Sequence, residues 1–413
     1  LGDGVRYEDY VDLGYKPGKD DLVCEFVLEP AGNSSIERAA GAIAAESSTG
    51  TWTEVKTEKK YVRKLAAKVF KIEGKRINVA YPVELFEPGN IPQILSSVAG
   101  NIFGMKEIKS LRLVDLTIPE KLLKSFKGPK YGIKGIRKIF RTNRPLLGTI
   151  IKPKIGLRTE EHVKVAYEAW VNGIDIVKDD ENLSSQNFNK FEKRLEKTFK
   201  AKEKAEKETG EKKAYMINVT AETQEMLKRA KAVENVGNEY IMVDIITVGW
   251  SALQTLRNQD FNLVIHAHRA GHAALTRNSK HGISMKVIAK LARIVGVDQL
   301  HVGTGVGKMF EKKEEVLENC KALKEGLWKF KPVMPVASGG LHPGHIPQLI
   351  KVFGNDFIVQ AGGGIHSLQT RIGAIAMRQA LDAALEGISL QEYSKTHKEL
   401  KLALNKFGFV SSR

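Results

Sequence analysis

Four consecutive charged residues, Lys178-Asp179-Asp180-Glu181, close the apolar-rich run Gly173-Ile174-Asp175-Ile176-Val177. The run is short enough for a buried strand. Side chains alternate along a strand, so Lys178 and Asp180 share one face and Glu181 opens the exit loop. Neighbouring carboxylates suit a hard divalent cation such as magnesium, which takes oxygen ligands. The lysine is out of place there, because an ammonium repels a metal and offers it no lone pair. It fits only if neutral, or converted into something anionic. A charged turn that merely closes a strand is the competing reading of the same residues.

Other stretches carry comparable chemistry. Lys152-Pro153-Lys154 sets two lysines on one face across a stiff proline, or is simply a basic turn. In His266-Ala267-His268-Arg269 two histidines share a face, and the guanidinium suits bidentate binding of a phosphate. His-x-His also occurs in zinc hydrolases, and either histidine could equally be a hydrogen-bonded interior residue. His301 leads into Gly303-Thr304-Gly305-Val306-Gly307-Lys308, whose glycine spacing is wrong for a Walker loop. It reads as a mobile lid that delivers a cation. Ser338-Gly339-Gly340 and Gly362-Gly363-Gly364 let backbone N–H groups approach a phosphate closely. Together these residues point to a substrate with a phosphate at each end and its middle over a metal.

The elements that must position them fall into two groups. Up to residue 128 the pattern is α+β, with strands expected at 22–28, 76–86 and 111–116 and helices at 34–45 and 91–99. The Gly/Pro-containing basic stretch Lys127-Gly128-Pro129-Lys130-Tyr131-Gly132 marks a boundary, which gives domains 1–128 and 129–413. Beyond it, strands expected at 145–151, 174–178, 214–219, 240–247, 263–268, 299–303, 333–337 and 357–360 alternate with amphipathic helices. One helix is 161–171, with Thr159 as N-cap and Gly173 just past its end. Another is 188–204, with Phe188, Phe191, Leu195 and Phe199 on one stripe and a solvated Lys/Glu face. A last barrel helix is expected at 372–385, and small helices after 389. Eight such units predict an α/β chain with a C-terminal (β/α)8 TIM barrel, whose active site lies at the C-terminal ends of the strands. All the chemical motifs fall at those ends, and the last two coincide with a usual phosphate site after strands seven and eight. An open doubly wound sheet is the alternative, and it needs no eighth strand.

Composition narrows the function classes. The 413 residues are 42% hydrophobic and 27% charged, ordinary for a soluble globular protein. No apolar run approaches the length of a membrane span. Cys24 and Cys320 are too few for a disulfide framework, so a reducing cytoplasm is expected. The net charge of +17 suits nucleic acid or a multiply phosphorylated small substrate. No nucleic-acid module is present, so neither nucleic acid nor membrane is expected as a partner.

Two further stretches, Ala45-Glu46-Ser47-Ser48-Thr49-Gly50-Thr51-Trp52-Thr53 and Gly100-Asn101-Ile102-Phe103-Gly104, join Gly148-Thr149-Ile150-Ile151-Lys152-Pro153-Lys154 and the motifs above. In this order they resemble the large subunit of ribulose-1,5-bisphosphate carboxylase/oxygenase (RuBisCO), most closely the archaeal form III enzymes, from about Tyr10 to Glu386. The resemblance implies a ferredoxin-like N-terminal domain ahead of the barrel. It implies that Lys178 takes up a non-substrate CO2 as a carbamate and joins Asp180 and Glu181 in binding Mg2+. It implies carboxylation, and oxygenation by O2, of ribulose 1,5-bisphosphate through an enediolate, CO2 and water giving two 3-phosphoglycerates. The Lys178 carbamate would take the C3 proton and Lys152 would protonate the final carbanion, with Lys154 tuning its pKa. His268 would assist at the substrate hydroxyl, and Lys308 would close over the new carboxylate. Arg269, His301 and Ser338, with Gly339 beside it, would hold one phosphate. Thr51, Trp52, Gly340, Gly362 and Gly363 would hold the other. Glu46, Thr51, Trp52 and Asn101 would complete the neighbouring subunit's site, which makes a homodimer the minimum unit of any larger assembly. The archaeal likeness implies a role in nucleoside or AMP salvage.

Departures from the family pattern lie around the lid and the phosphates. Gly271 stands where methionine is usual, Gly305 at a usually larger position, and Phe310-Glu311 in place of a Glu-Gly or similar pair. The shorter Ile365-His366-Ser367-Leu368-Gln369-Thr370 replaces the usual Gly-His-Pro-x-Gly segment. These changes spare the chemical residues and predict reduced affinity, slower turnover or poorer CO2/O2 discrimination. RuBisCO-like enolases or isomerases of other sugar phosphates, the alternative reading, usually lose several catalytic residues, and this chain loses none.

Overall fold

The computed structural model describes residues 6–51, 55–306 and 311–409. The chain forms two compact units. One holds the residues up to Lys127 together with Gly271–Val295, and the other holds Gly128–Ala270 and the chain from Gly296 onward. In chain order the strands begin with β1 (Leu22–Pro30), β2 (Lys68–Glu73), β3 (Arg76–Tyr81) and β4 (Ile108–Thr117). Then come β5 (Leu146–Ile150), β6 (Ile176–Lys178), β7 (Ala214–Asn218), β8 (Tyr240–Asp244) and β9 (Val264–His268). The last are β10 (Gly282–Ile283), β11 (Gln299–His301), β12 (Met334–Ser338) and β13 (Ile358–Ala361).

In the first unit the sheet order β4-β1-β3-β2 is antiparallel throughout. Helix Ile36–Glu46 follows β1 and helix Ile91–Val98 follows β3, which is the ferredoxin-like arrangement. Along β1, Leu22, Cys24, Phe26 and Leu28 are buried at alternate positions, the period-two signature of a sheet with one face in the core. Helix Ile36–Glu46 starts where the Ser35 hydroxyl accepts from the Arg38 N–H at 3.1 Å, and its buried face is mostly alanine. Strand β2 was not expected from sequence, because Lys68, Lys71 and Glu73 leave Val69 as its one fully buried residue. The short β10 adds in parallel to the edge of β4, and Lys286 pairs with Asp115 at 2.8 Å. Gly271–Val295 is therefore compact with the first unit, although in chain order it lies inside the range 129–413 assigned to the barrel.

In the second unit eight parallel strands close into a barrel in the order β5-β6-β7-β8-β9-β11-β12-β13. The first residues of seven of them, Leu146, Ile176, Ala214, Tyr240, Val264, Met334 and Ile358, pack in one cluster with Ile136 and Phe140 of helix Gly132–Phe140. That apolar floor seals the N-terminal end of the barrel. Two residues further along the same faces, Lys178, His266 and Gln360 are buried polar groups, and His301 is buried at the end of β11. A barrel strand can thus serve both purposes: its floor end supplies stability and its mouth end supplies chemistry.

Several sequence expectations shift, and the strand expected at 76–86 ends at Tyr81. The strand expected at 240–247 stops at Asp244, and Ile245–Asn258 is helical, because a β-branched run looks strand-like whatever follows it. The helix expected at 188–204 is Phe191–Thr209, which leaves Phe188 at the surface. Thr159 is the first helical residue rather than the N-cap, and its hydroxyl lies 3.1 Å from Asn189 Oδ1. Among the described residues no helix is long and apolar enough to cross a membrane. Cys24 and Cys320 are buried free thiols.

One carboxylate ties the barrel floor together. Asp298 is fully buried and accepts from Tyr131 N (2.6 Å), Gly132 N (3.0 Å), Ile265 N (3.0 Å) and Arg257 Nη2 (2.7 Å). Asp298→Ala strands the buried Arg257 guanidinium, so it should cost about 3–5 kcal/mol of stability in chemical denaturation. A loss under about 1 kcal/mol would contradict this account.

Candidate active site

The mouth of the barrel is built on Asp179. Its carboxylate is fully buried and receives Arg194 Nε at 3.0 Å, the Tyr215 hydroxyl at 2.8 Å and Asn218 N at 3.1 Å, with His162 Nε2 at 3.2 Å. Burial pushes its pKa up, but Arg194 and His162 more than cancel that and hold it below the ordinary carboxylate range. With its oxygens engaged from one side, Asp179 acts as a structural anchor that leaves Lys178, Asp180 and Glu181 to line the mouth.

Lys178 is 1% exposed, and its ammonium donates to the Asp179 carbonyl at 2.7 Å. Burial pushes its pKa down, against the pull of Glu181, Asp180, Asp244 and Asp179. Glu181 Oε2 is 3.8 Å from the Lys178 nitrogen. Lys152 donates to Asp180 Oδ2 at 2.8 Å, and Lys154 stands 3.4 Å from Glu181 and 3.8 Å from Asp180. Burial also raises the Glu181 pKa, but Lys178, His268 and Lys154 outweigh it and hold that carboxyl at about 2. The lysines of the first strand end and the carboxylates of the second are therefore brought together. No trio of carboxylate, histidine or cysteine groups ready for a metal occurs among the described residues. Asp180 and Glu181 supply two oxygen donors for a hard cation, and an oxygen-bearing form of Lys178 would be the third.

On the opposite wall, His268 Nδ1 lies 2.5 Å from Asp244 Oδ1, and its Nε2 faces Glu181 Oε2 at 3.8 Å. Asp244 is a site residue that the sequence reading missed, hidden inside a strand drawn three residues too long. His266 is 2.9 Å from Gln299 Oε1 through Nδ1 and 2.8 Å from His301 Nε2 through Nε2. Both of its ring nitrogens are occupied, which removes it as the first ligand of a His-x-His zinc site. His301 continues to the Ser338 hydroxyl at 2.6 Å. Burial, with Lys178 second, pushes His266 down to about 3, and burial pushes His301 well below the usual imidazole range.

Arg269 is buried and pairs through Nη2 with Glu311 Oε1 at 2.6 Å. Burial lowers its pKa and Glu311 opposes the shift. Gly339 and Gly340 follow the end of β12 at positive φ, 118° and 65°. Gly362 follows β13, where a Cβ would come within 2.9 Å of the Lys152 side chain, so glycine keeps that lysine's path open. Gly363 opens the four-residue helix Gly363–His366. In that divergent segment His366 ties back to Thr149 at 2.9 Å and to Thr370 at 3.0 Å, a contact no sequence signal announced.

In the first unit, Asn101 Nδ2 donates to Glu46 Oε1 at 3.3 Å, and both residues are exposed. Thr51 lines a cavity of about 290 Å3 with Tyr10, Thr49, Gly50, Val55, Arg63 and Lys68. Trp52 and Lys308 lie outside the described residues.

Comparison with known proteins bears on this site. The family described as the ribulose bisphosphate carboxylase large chain, catalytic domain, matches residues 132–407, and its N-terminal domain matches residues 9–122. The chain is 51% identical to the ribulose bisphosphate carboxylase of Methanosarcina mazei, over 97% of this chain and 99% of that protein. It is also 51% identical to that of Pyrococcus furiosus, over 98% and 99%. Among solved structures, octameric Rubisco from Pyrococcus horikoshii in complex with sulfate superposes with a TM-score of 0.95 at 48% identity, over 99% of each chain. Dimeric archaeal Rubisco from Hyperthermus butylicus superposes with a TM-score of 0.91 at 48% identity, over 98% of this chain and 100% of that one.

The depressed Glu181 carboxyl gives a pH signature. Its folded pKa of about 2 lies below the ordinary 4.5, so its stabilising contribution is complete above pH 4.5 and is lost as pH falls toward 2. In urea denaturation without metal, Glu181→Gln should be less stable than the parent at neutral pH, with a gap that starts to close below pH 4.5. A gap that stays constant down the acid series would refute the assignment.

Proposed function

The chain belongs to the ribulose bisphosphate carboxylase large-chain family, and we propose that it catalyses Mg2+-dependent carboxylation of ribulose 1,5-bisphosphate, with O2 as competing gas. CO2 and water convert the substrate, through an enediolate, into two 3-phosphoglycerates. The observation that carries this reading is Lys178, a buried lysine beside Asp180 and Glu181 at a barrel mouth.

Burial lowers the Lys178 pKa and so raises the share of neutral amine, the form that attacks CO2. The nitrogen bonds to the CO2 carbon and releases a proton, leaving a carbamate that carries one negative charge. A cation thereby becomes an oxygen donor, and Lys178, Asp180 and Glu181 would hold Mg2+. When bound there, Mg2+ supplies Lewis-acid stabilisation of the enediolate charge and orients the substrate oxygens.

The remaining roles belong to side chains of this chain. The Lys178 carbamate removes the C3 proton. His268 exchanges a proton at the substrate hydroxyl through Nε2, since Asp244 beside Nδ1 fixes the proton on that nitrogen. Lys152 protonates the last carbanion, and Lys154 keeps positive charge nearby. Lys308 closes over the new carboxylate. Arg269, His301, Ser338 and Gly339 hold one phosphate, and Gly340, Gly362 and Gly363 the other, together with Thr51 and Trp52.

Glu46, Thr51, Trp52 and Asn101 act in the site of a neighbouring subunit, so the homodimer is the smallest active unit. The dimeric and octameric assemblies of the solved relatives support a dimer-based architecture. A cytoplasmic place in nucleoside or AMP salvage belongs to the same proposal and rests on the archaeal relatives.

The deciding experiment activates the protein with Mg2+ and bicarbonate and then follows labelled CO2. Label should enter 3-phosphoglycerate, and Lys178→Ala should cut fixation by about three orders of magnitude. Fixation retained in Lys178→Ala would sink the carbamate. Turnover of another sugar phosphate, without CO2-dependent 3-phosphoglycerate, would point to a RuBisCO-like enolase or isomerase.

A further inference from the structure

A line of polar side chains climbs the barrel interior from floor to mouth. Tyr240 opens β8, Gln299 opens β11, His266 is the middle residue of β9, His301 closes β11 and Ser338 closes β12. Gln299 meets His266 Nδ1 at 2.9 Å, His266 meets His301 Nε2 to Nε2 at 2.8 Å, and His301 Nδ1 meets Ser338 at 2.6 Å. The Tyr240 hydroxyl neighbours the Gln299 amide. Tyr240, Gln299 and His266 are 0% exposed and His301 2%.

A neutral imidazole has one donor and one acceptor nitrogen, so two rings that meet Nε2 to Nε2 must be opposite tautomers. Both rings are neutral here, since burial holds His266 at about 3 and His301 well below the usual range. The line therefore runs in one direction or the other. With the Gln299 oxygen on His266, every proton points down toward the floor, and Ser338 turns its hydroxyl proton inward. That orientation leaves Gln299 Nε2 and the Tyr240 hydroxyl without a partner in the dry core. Oxygen and nitrogen of an amide are interchangeable in outline, so the network decides between them. With the amide turned, Tyr240 O–H donates to Gln299 Oε1 and Gln299 Nε2–H donates to His266 Nδ1. His266 Nε2–H then donates to His301 Nε2, and His301 Nδ1–H donates to Ser338 Oγ. The buried Tyr240 hydroxyl proton then faces an amide oxygen instead of amide hydrogens, and the Ser338 proton is released to the mouth, where an anion accepts it.

We propose that Tyr240 and Gln299 are positioning residues that fix the proton order of this line, so that Ser338 donates outward to a phosphate of the substrate. The inference rests on the reading of His301 and Ser338 as phosphate holders. A tyrosine on the barrel floor thereby sets the polarity of a hydroxyl at its mouth without touching substrate.

The first test needs no turnover, so its failure is distinct from failure of the carboxylase reading. In the full-length protein with 15N-labelled histidine, NMR should show His301 protonated on Nδ1 and His266 on Nε2. The reverse pair overturns the proposal. Tyr240→Phe, which frees the amide to turn, should give a mixture of the two pairs. The second test is kinetic: Tyr240→Phe and Gln299→Met should each raise KM for ribulose bisphosphate about three- to tenfold, the worth of one neutral hydrogen bond, with kcat within about twofold. Affinity for inorganic phosphate should fall by a similar factor. In a Ser338→Ala background neither substitution should raise KM further. An unchanged KM, or a full further rise in that background, also overturns the proposal.

Discussion

The structure depends on keeping a lysine dry among carboxylates. Lys178 is 1% exposed, and the groups that pull on its charge are Glu181, Asp180, Asp244 and Asp179. A buried ammonium is tolerated only where opposite charge offsets lost hydration, and the carboxylates are tolerated for the same reason. None of them is left to Lys178 alone. Asp179 is engaged by Arg194 and Tyr215, Asp180 by Lys152, and Asp244 by His268. The balance has a consequence under the proposed chemistry. Turning Lys178 from a cation into a carbamate sets a third negative charge beside Asp180 and Glu181, and a divalent cation is what offsets it. Uptake of the activating CO2 and binding of the metal are then thermodynamically linked, each raising the affinity for the other.

The barrel supplies the frame for this balance through register. Gln299 pairs with His266, and His266 pairs in turn with Met242. Side chains that follow one another up the interior therefore come from different strands at matching heights. Apolar residues at the floor exclude water, and the same faces two residues higher carry Lys178 and His266, with His301 buried at the end of β11. In a medium of low dielectric each of those contacts is stronger than it would be in water, and each missing partner is more costly.

The strand ends were legible in the sequence because a (β/α)8 barrel puts its chemistry where strand residues give way to loops. Lys152, Lys178, His268 and Ser338 could be assigned to one mouth from spacing alone. Partners that act from the side could not. Asp244 sits four residues after a buried tyrosine in a run that stays β-branched into the next helix, so its orienting bond to His268 leaves no local trace. Gln299 looks like any polar residue at the start of a strand, and only the three-dimensional register brings it to His266. The histidine pair misled in the other direction: His266-Ala267-His268 suggested two ligands, whereas His266 faces the core and only His268 faces the mouth. In the N-terminal unit β2 was overlooked because it buries little, and Gly271–Val295 joins that unit through strand pairing that chain order conceals.

The departures from the family pattern gain a physical meaning at Arg269. Glu311, of the Phe310-Glu311 pair that stands in place of a Glu-Gly or similar pair, lies 2.6 Å from Arg269 Nη2 in a buried pair. A carboxylate so close to an arginine proposed to hold phosphate competes with that anion for the same donors. A guanidinium is a planar fork of five donors, however, and one partner cannot saturate it. Arg269 Nη1 is buried with no hydrogen-bond partner among the described residues. Glu311 therefore grips one arm of the fork and fixes its plane, and the other arm keeps an unmet demand for an acceptor. On the proposed reading the cost of holding Nη1 dry is recovered when a phosphate oxygen arrives. Glu311 also brings a negative charge near a dianion, so the same contact that orients the arginine weakens its net attraction. On that reading orientation and attraction oppose each other at this one residue, so the departure at Glu311 would alter affinity without removing any group proposed for the chemistry.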